Sequence, residues 1–191
     1  MAESFFEDAI FDKTTIQDVI LKGVEFDNCS FLNGDLSNQD FSGAQFTDCE
    51  FTDCNLSMIR LAKTALRNVT FKNCKMLGLR FDDCNAFGLA FTFENCILNY
   101  SSFFKTSIRN TLFRNSQLVE VDFSESNLTG SVFDNCNLSG AVFEHTVLDK
   151  ADLTTSYHYS INPETNRVKK AKFSYPGVLG LLNQYDIEII E

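Results

Sequence analysis

Several residue types are rare or absent in the sequence. Its 191 residues include no Trp, only two Pro and only two His. His145 and His158 do not belong to a Ser/His/Asp or Cys/His arrangement, and no glycine-rich phosphate loop is present. We therefore expect no catalytic residue, no bound metal and no cofactor, and we predict that the chain is not an enzyme.

Long apolar runs and an excess of bases are also missing. No run of 18 apolar residues occurs, so we expect no membrane-spanning segment. Met1–Phe11 carries acids and no apolar run flanked by Lys or Arg, so no signal peptide is visible and a cytoplasmic location is expected. The net charge of −10 would repel nucleic acid and anionic membranes and would attract basic surfaces.

What the sequence does contain is 20 Phe, arranged with a period of five residues. Large apolar residues occupy every fifth position from Phe6 to Phe91, with Ala86 as the exception. The series slips by two residues and then runs from Phe93 to Leu153 without a break. A period of five fits neither an α-helix nor an ordinary strand. It favours a coil that turns a corner at every repeat and buries a continuous core by stacking.

A second series of mostly small residues lies two positions before each large one. All seven cysteines fall on it, interspersed with Ser, Thr and Ala, which predicts buried free thiols rather than a metal site or disulfides. One column of this series is bulky, which predicts a locally widened face and a buried hydrogen-bond partner for its one polar member: Val19, Gln39, Ile59, Leu79.

Repeats such as Ser126–Gly130 and Cys136–Gly140 make the chain resemble the pentapeptide-repeat family. The resemblance implies an all-β fold, a right-handed quadrilateral β-helix with four repeats in each 20-residue coil. We expect about eight coils in residues 1–158, followed by a C-terminal module in residues 159–191. The slip near residues 86–93 has two interpretations: a β-bulge that absorbs two residues, or a protrusion that contacts a partner through the off-series residues Phe87 and Phe104.

Charge is unevenly distributed along the chain. Residues 1–53 carry 12 acids and 2 bases, residues 54–119 carry 3 acids and 9 bases, and residues 120–152 carry 7 acids and 1 base. This pattern is consistent either with a merely soluble surface or with an acidic face that mimics a nucleic-acid backbone. The candidate partner-binding residues are the following, together with Phe87: Asp35, Asp40, Asp48, Glu50, Asp53.

The C-terminal segment predicts a cap on the open end of the core. Asn162–Arg167 favours a turn, and Lys169–Phe173 favours a last strand. Tyr175–Tyr185, with Pro176 in its first turn, predicts a short helix, and Asp186–Ile190 alternates like an edge strand. The segment is either a simple lid or a homodimer interface formed by these residues: Leu179, Leu181, Leu182, Tyr185, Ile187, Ile189.

This tail resembles the dimer module of the Qnr-type quinolone-resistance proteins and the end of the enterobacterial microcin immunity protein. Relatives of both kinds bind DNA gyrase or topoisomerase IV as DNA mimics, and the resemblance implies the same partner here. The chain departs from the Qnr type because it has no long loop insertions and its middle repeats are basic. The alternative is a pentapeptide-repeat interaction module with a partner unrelated to DNA.

Overall fold

A computed structural model describes residues 4–18, 20–185 and 187–190. In these residues the chain forms short parallel strands joined by tight turns, because a corner follows every inward-facing large residue. The eleven strands are β1 Phe5–Glu7, β2 Ile10–Phe11, β3 Glu25–Asp27, β4 Ser30–Leu32, β5 Gln45–Thr47, β6 Glu50–Thr52, β7 Ala65–Arg67, β8 Val69–Lys72, β9 Phe91–Glu94, β10 Leu112–Arg114 and β11 Val132–Asp134.

The strands stack into two parallel sheets, and each defines one side of a solenoid. Side 1 is the four-stranded sheet β1-β3-β5-β7, and single bridges continue its line later in the chain through Ser107, Asn127, Val147 and Arg167. Side 2 is the seven-stranded sheet of β2, β4, β6 and β8 to β11, which the bridges of Asp152 extend to Lys172. The offset of 20 residues between neighbouring strands confirms the predicted coil length before the slip.

Two further lines of single bridges define the remaining sides. Side 3 runs from Asp35 to Tyr157, and side 4 includes Asp40 to Arg60 and Arg80 to Val142. The fold is therefore the predicted all-β solenoid. The regular strands of side 2 account for about six turns, fewer than the eight expected. Beyond β11 this side continues through isolated bridges instead of strands.

The core is a stack of aromatic rings along the solenoid axis. Phe46, Phe93 and Phe123 have no exposed surface, and neighbouring rings lie in contact, with 4.4 Å between the centroids of Phe31 and Phe51. Such stacking buries apolar area that no single coil could bury alone. All seven thiols are free, and six of them are buried. The exception is Cys84, which is half-buried beside the slip.

Two details of the inward series differ from expectation. Gln39 is exposed and therefore needs no buried partner, whereas Ile59 and Leu79 in the same column are buried; Val19 lies outside the described residues. Phe91 pairs with Val69 in the small slot, and Ala86 is exposed, so the first large series effectively ends at Phe81. The change at Ala86 and Phe91 follows from the two residues added at the slip. Gln39 differs because its side chain is exposed to solvent.

The slip is a local bulge formed by Asn85–Ala90 on side 1. The strand offset changes from 20 to 22 residues between β8 and β9, as the period predicts, and pairing then continues in the new register. Backbone hydrogen bonds hold both ends of the bulge, from Asn85 N to Thr64 O at 2.8 Å and from Ala90 N to Leu66 O at 2.9 Å. The core is unbroken because the two added residues project outwards.

The C-terminal segment differs most from its prediction. In place of the single short helix predicted over Tyr175–Tyr185, it forms two short 3-10 helices, Gly177–Leu181 and Asn183–Tyr185. Residues 187–190 form no strand, and Asp186 lies outside the described residues. Lys169–Phe173 contributes only a single bridge, at Lys172. Two glycines allow this segment to pack closely on Tyr159, because a Cβ at Gly177 or Gly180 would collide with that residue.

Two other 3-10 helices, Thr15–Asp18 and Phe81–Asp83, occur within the coils. Across the described ranges, no helix has the length and apolarity that crossing a bilayer would require.

Candidate protein-binding surface

The most distinctive surface is the acidic half of side 1. It consists of five carboxylates from the first three strands of that side and the turns after them: Glu7, Asp8, Glu25, Asp27, Asp48. Four of the five are exposed, and Asp27 is half-buried. We call this set the acidic face.

Local geometry places these side chains on one surface. Glu25 precedes the inward-facing Phe26 and Asp27 follows it, so both point outwards from β3. Asp8 and Asp48 occupy the corner after the strand, where φ is 53° and 52°. This left-handed conformation favours Asn, Asp and Gly over other residues, because their short side chains tolerate it. The repeat therefore supplies acids at recurrent outward positions.

The acidic face places like charges close together. Glu7 and Asp27 are register partners on neighbouring strands, an arrangement that costs stability in an isolated sheet. In the described part of the chain, no Lys or Arg forms a salt bridge with any of the five carboxylates. The face thus keeps a concentrated negative charge that the protein itself does not neutralise.

Neutral amides orient these carboxylates instead. Asn28 Nδ2 donates to Asp8 Oδ1 at 2.6 Å, and Gln45 Nε2 donates to Glu25 Oε1 at 2.5 Å. Asn68 Nδ2 donates to Asp48 Oδ1, also at 2.5 Å. An amide fixes the position of a carboxylate without cancelling its charge. The result is a fixed negative ladder, with layers about 4.8 Å apart in the stacking direction.

The acids proposed from sequence are spread around the solenoid. Of the five, only Asp48 belongs to the acidic face. Glu50 is on side 2 and Asp53 on its following corner, whereas Asp35 is on side 3 and Asp40 on side 4. Two of them are paired, with Lys22 Nζ 3.0 Å from Asp40 Oδ2 and Lys72 Nζ 2.6 Å from Glu50 Oε2.

Hydrogen bonds lower the pKa values of three of these separated acids. The Ser37 hydroxyl and backbone amide lower the pKa of Asp35, the Ser42 contacts lower that of Asp40, and Lys72 lowers that of Glu50. Sequence reasoning missed Glu7, Asp8, Glu25 and Asp27. Their signal was present in the 20-residue offset that aligns Glu7 with Asp27 and Asp8 with Asp48 through Asn28.

Phe87 lies on the same side, at the tip of the bulge. It is 80% exposed, and its backbone N–H donates to Asn85 Oδ1 at 3.0 Å. Gly88 beside it adopts φ of 72° and lies against the Arg67 side chain. Phe104 is instead half-buried, with Lys105 Nζ 4.7 Å from its ring centroid. An exposed aromatic ring on a held backbone is a typical anchor for a protein contact.

A second exposed apolar surface covers the C-terminal end. Leu179, Leu182, Ile187 and Ile189 line a cleft of about 350 Å³ together with Asn183. Leu181 packs against the end of the core instead, and Tyr185 donates from its hydroxyl to Glu164 Oε1 at 2.8 Å. Of the residues predicted for dimerisation, Leu179, Tyr185, Ile187 and Ile189 are therefore exposed, Leu182 is half-buried and Leu181 caps the core. Within the described residues, no cluster of His, Cys, Asp or Glu is arranged to hold a metal ion.

The fold is also that of known solved structures. Two trypsin-treated forms of QnrB1, described as a plasmid-mediated fluoroquinolone resistance protein, match at 19% identity with TM-scores of 0.59 and 0.60, over 100% of this chain and 100% and 99% of theirs. HetL, a pentapeptide repeat protein from the cyanobacterium Nostoc sp. strain PCC 7120, matches at 14% identity over 90% of this chain and 86% of its own, with a TM-score of 0.47. No curated protein sequence matches.

Two family models match the chain directly. The pentapeptide repeat region matches residues 24–92, and the pentapeptide repeats model (8 copies) matches residues 116–154. The two regions together exceed half of the chain and leave out residues 1–23, 93–115 and 155–191. With its five-residue period, its stacked core and these matches, the chain belongs to the pentapeptide-repeat family.

Proposed function

We propose that this protein is a binding protein that mimics DNA and docks its acidic face on a basic, DNA-binding surface of DNA gyrase or topoisomerase IV. Binding there would protect the enzyme from a toxin or a quinolone-type poison. The single observation that carries the proposal is the acidic face itself, five carboxylates without a salt-bridge partner in the described chain, three of which are oriented by amides. The similarity in fold to a fluoroquinolone resistance protein supports the choice of partner.

The spacing of the acidic face suits this role. Duplex DNA carries its phosphates about 3.4 Å apart along each strand. Carboxylates on coils stacked about 4.8 Å apart offer a comparable density of negative charge on a narrow rod. Association of such a surface with a basic cleft is driven by electrostatic attraction and weakens steeply with salt.

A gyrase supercoiling assay with a fluoroquinolone tests the proposal. The test variant neutralises the acidic face with the substitutions Glu7→Gln, Asp8→Asn, Glu25→Gln, Asp27→Asn and Asp48→Asn. Each replacement keeps an acceptor oxygen for the existing amide contacts, and Asn suits the left-handed corners. We expect wild-type protein to preserve supercoiling and the variant to lose this protection.

The matched control removes the same number of charges elsewhere, on side 4 and its neighbouring corners: Asp83→Asn, Glu120→Gln, Asp122→Asn, Glu125→Gln, Glu144→Gln. It should protect as the wild type does. Equal loss in both variants would mean that only net charge matters, and no binding of wild-type protein to gyrase at low salt would rule out the proposed partner.

A specific observation favours the alternative function, a scaffold for a partner unrelated to DNA. Beyond the bulge, side 1 becomes basic, with Arg109, Lys150, Lys169 and Lys170 exposed. A uniform DNA mimic would not carry these charges. A variant in which the bases of this half are replaced tests this alternative. Loss of partner binding in that variant, as well as in the variant of the acidic face, would support it.

We further propose that the exposed C-terminal apolar residues form a homodimer interface, so that the dimer axis matches that of a two-fold symmetric enzyme. The variant Leu179→Asp with Ile187→Asp should be monomeric by light scattering, because both side chains are about half exposed and line the cleft. The control pair Val132→Asp and Val142→Asp changes similarly exposed residues on other sides. An unchanged mass in the first variant would exclude this interface.

A further inference from the structure

The proposed function uses only the acidic half of side 1, but the two halves of this side carry opposite charge. The half before the bulge holds five acids and one base: Glu7, Asp8, Glu25, Asp27, Asp48 and Arg67. The half after the bulge holds five bases and one acid: Arg109, Lys150, Arg167, Lys169, Lys170 and Asp149. The side therefore has a net charge of −4 in one half (1 − 5) and +4 in the other (5 − 1).

The bulge lies at the midpoint between these halves. Four strands of side 1 precede it, β1, β3, β5 and β7. Four bridge-linked residues of the same side follow it: Ser107, Asn127, Val147 and Arg167. A two-fold axis that lies in the plane of side 1 and crosses the solenoid axis at right angles at the bulge would therefore bring side 1 of a second copy face to face with this one, and each layer of one half would lie opposite a layer of the other half.

We propose that side 1 binds side 1 of a second copy of this chain, antiparallel, about an axis at Phe87. In this arrangement Glu7 and Asp8 of one copy face Lys169 and Lys170 of the other, while Glu25 and Asp27 lie opposite the layer of Lys150. The parallel arrangement would oppose like charges along the whole side and is excluded by repulsion. The charge pattern thus selects one partner and one orientation.

The bulge supplies the apolar centre of this contact. Phe87 is 80% exposed at the axis, so the two copies bring their rings together there. Hydrogen bonds at Asn85 and Ala90 hold the loop in place, so little ordering is needed on association. Arg67 and Arg109 are the unfavourable pair, one layer from the axis on either side. Arg67 is engaged within its own chain, where Nη1 donates to Gln45 Oε1 at 3.2 Å.

Self-association of this kind would cover the acidic face. A basic partner and a second copy would then compete for the same carboxylates. The acidic face would stay covered until the partner displaces the second copy. The inference does not rest on the proposed function, because self-association is measured on this protein alone, without gyrase.

Charge reversal with complementation tests the inference. The acid-reversed variant carries Glu7→Lys, Glu25→Lys and Asp27→Lys, and the base-reversed variant carries Lys150→Glu, Lys169→Glu and Lys170→Glu. All six side chains point outwards, and circular dichroism and a thermal melt confirm the fold of each variant. Sedimentation velocity is recorded for each protein at about 0.01 M salt, where charges interact over about 30 Å, and at about 1 M, where they are screened within about 3 Å.

We expect wild-type protein to associate at low salt and to lose that association at high salt. Each variant alone should lose it, because both of its halves then carry the same sign, whereas an equimolar mixture of the two should regain it. Phe87→Ser should weaken the wild-type association about tenfold, as loss of a central aromatic anchor does.

Three outcomes would overturn the inference: wild-type protein with no salt-dependent association, reversed variants that associate like wild type, or a mixture that stays dissociated. A mass above that of the monomer that is the same at both salt concentrations in every variant would place self-association on the apolar C-terminal surface and not on side 1.

Discussion

At the scale of single residues, the corner after each large residue decides which side chains the repeat accepts. Asn73 shows this most clearly: it has φ of 52°, its Nδ2 donates to Asp53 Oδ1 at 3.0 Å, and its Oδ1 accepts from Asn95 Nδ2 at 3.1 Å. A left-handed backbone costs other L-residues about 1–2 kcal/mol. The Asn and Asp residues of these corners therefore stabilise the coil both by conformation and by hydrogen bonds between layers.

Two substitutions at Asn73 separate these effects. Asn73→Ala should lower the free energy of unfolding by about 1–2 kcal/mol, because Ala is strained there. Asn73→Gly should lower it by less, since Gly accepts the conformation and only the side-chain hydrogen bonds are lost. Urea denaturation of both variants measures the difference. Equal destabilisation would show that the hydrogen bonds, and not the backbone conformation, are the important factor.

The thiols provide a second residue-scale prediction. Burial raises the pKa of Cys49 to about 12 and that of Cys136 to about 11, and it also raises the pKa of Cys84. Because the thiolate is the reactive form, native protein at pH 8 should react with a thiol reagent at less than one site per chain. All seven should react after denaturation. Cys84→Ser should remove the residual native reaction, and rapid reaction of several thiols would contradict the buried series.

At the scale of elements, side 2 differs from side 1 because its charges alternate along neighbouring strands. Lys72 Nζ lies 2.6 Å from Glu50 Oε2, and Arg114 pairs with Asp134 at 3.1 Å and with Glu94 at 3.6 Å. Like-charged residues on adjacent strands repel, so alternation relieves on side 2 the repulsion that side 1 retains. The two sheets are built from the same repeat, but side 2 pairs opposite charges on adjacent strands, whereas the acidic face of side 1 places like charges there.

Charge reversal on side 2 tests this difference. Lys72→Glu should destabilise the protein by about 1 kcal/mol, because it places an acid opposite its register partner Glu94 and within reach of Glu50 in the layer on the other side. Adding Glu50→Lys and Glu94→Lys places the new acid at position 72 between two bases and should recover most of the lost stability. The recovery should be incomplete, because the new base at position 94 faces Arg114. Thermal melts at low and high salt measure both effects. A loss that does not decrease at high salt would rule out charge repulsion as its cause.

At the scale of the whole molecule, the solenoid keeps a net charge of −10 while many of its acids are held by local hydrogen bonds. Asp35, Asp40, Glu50 and Asp152 all have pKa values lowered in the folded state, through contacts with Ser37, Ser42, Lys72 and Thr154 respectively. A carboxyl group whose folded pKa lies below its unfolded value stabilises the protein above the unfolded pKa and loses that contribution as pH falls.

Stability should therefore be constant from pH 7 to about 5 and should decrease below about pH 4, the ordinary range for these acids. The decrease should be gradual, because these groups are largely exposed and screened by solvent. Thermal melts between pH 7 and pH 3 measure it. Asp40→Asn keeps an acceptor for Ser42 but cannot titrate, so its melting temperature should change less with pH; an identical pH profile would exclude a contribution from Asp40.

The sequence by itself determined the inside of this protein. A large side chain every fifth residue and a small one two places earlier can be buried together only by a stacked coil, so the Phe series, the buried cysteines and the two-residue slip were all predictable. The C-terminal segment was predictable only in part: helical turns lie where a helix was expected, but they are two 3-10 helices, and residues 187–190 form no strand. The division at residue 158 stays a prediction.

Only the tertiary structure decided which outward side chains share a side. The chain turns a corner at every repeat, so acids close together in sequence, such as Asp48, Glu50 and Asp53, separate onto different sides and corners. Acids a full coil apart, such as Glu7 and Asp27, become neighbours. Inward positions are fixed by burial, which is the same in every repeat, whereas the composition of an outer surface depends on how the coils stack and on where the bulge shifts their register.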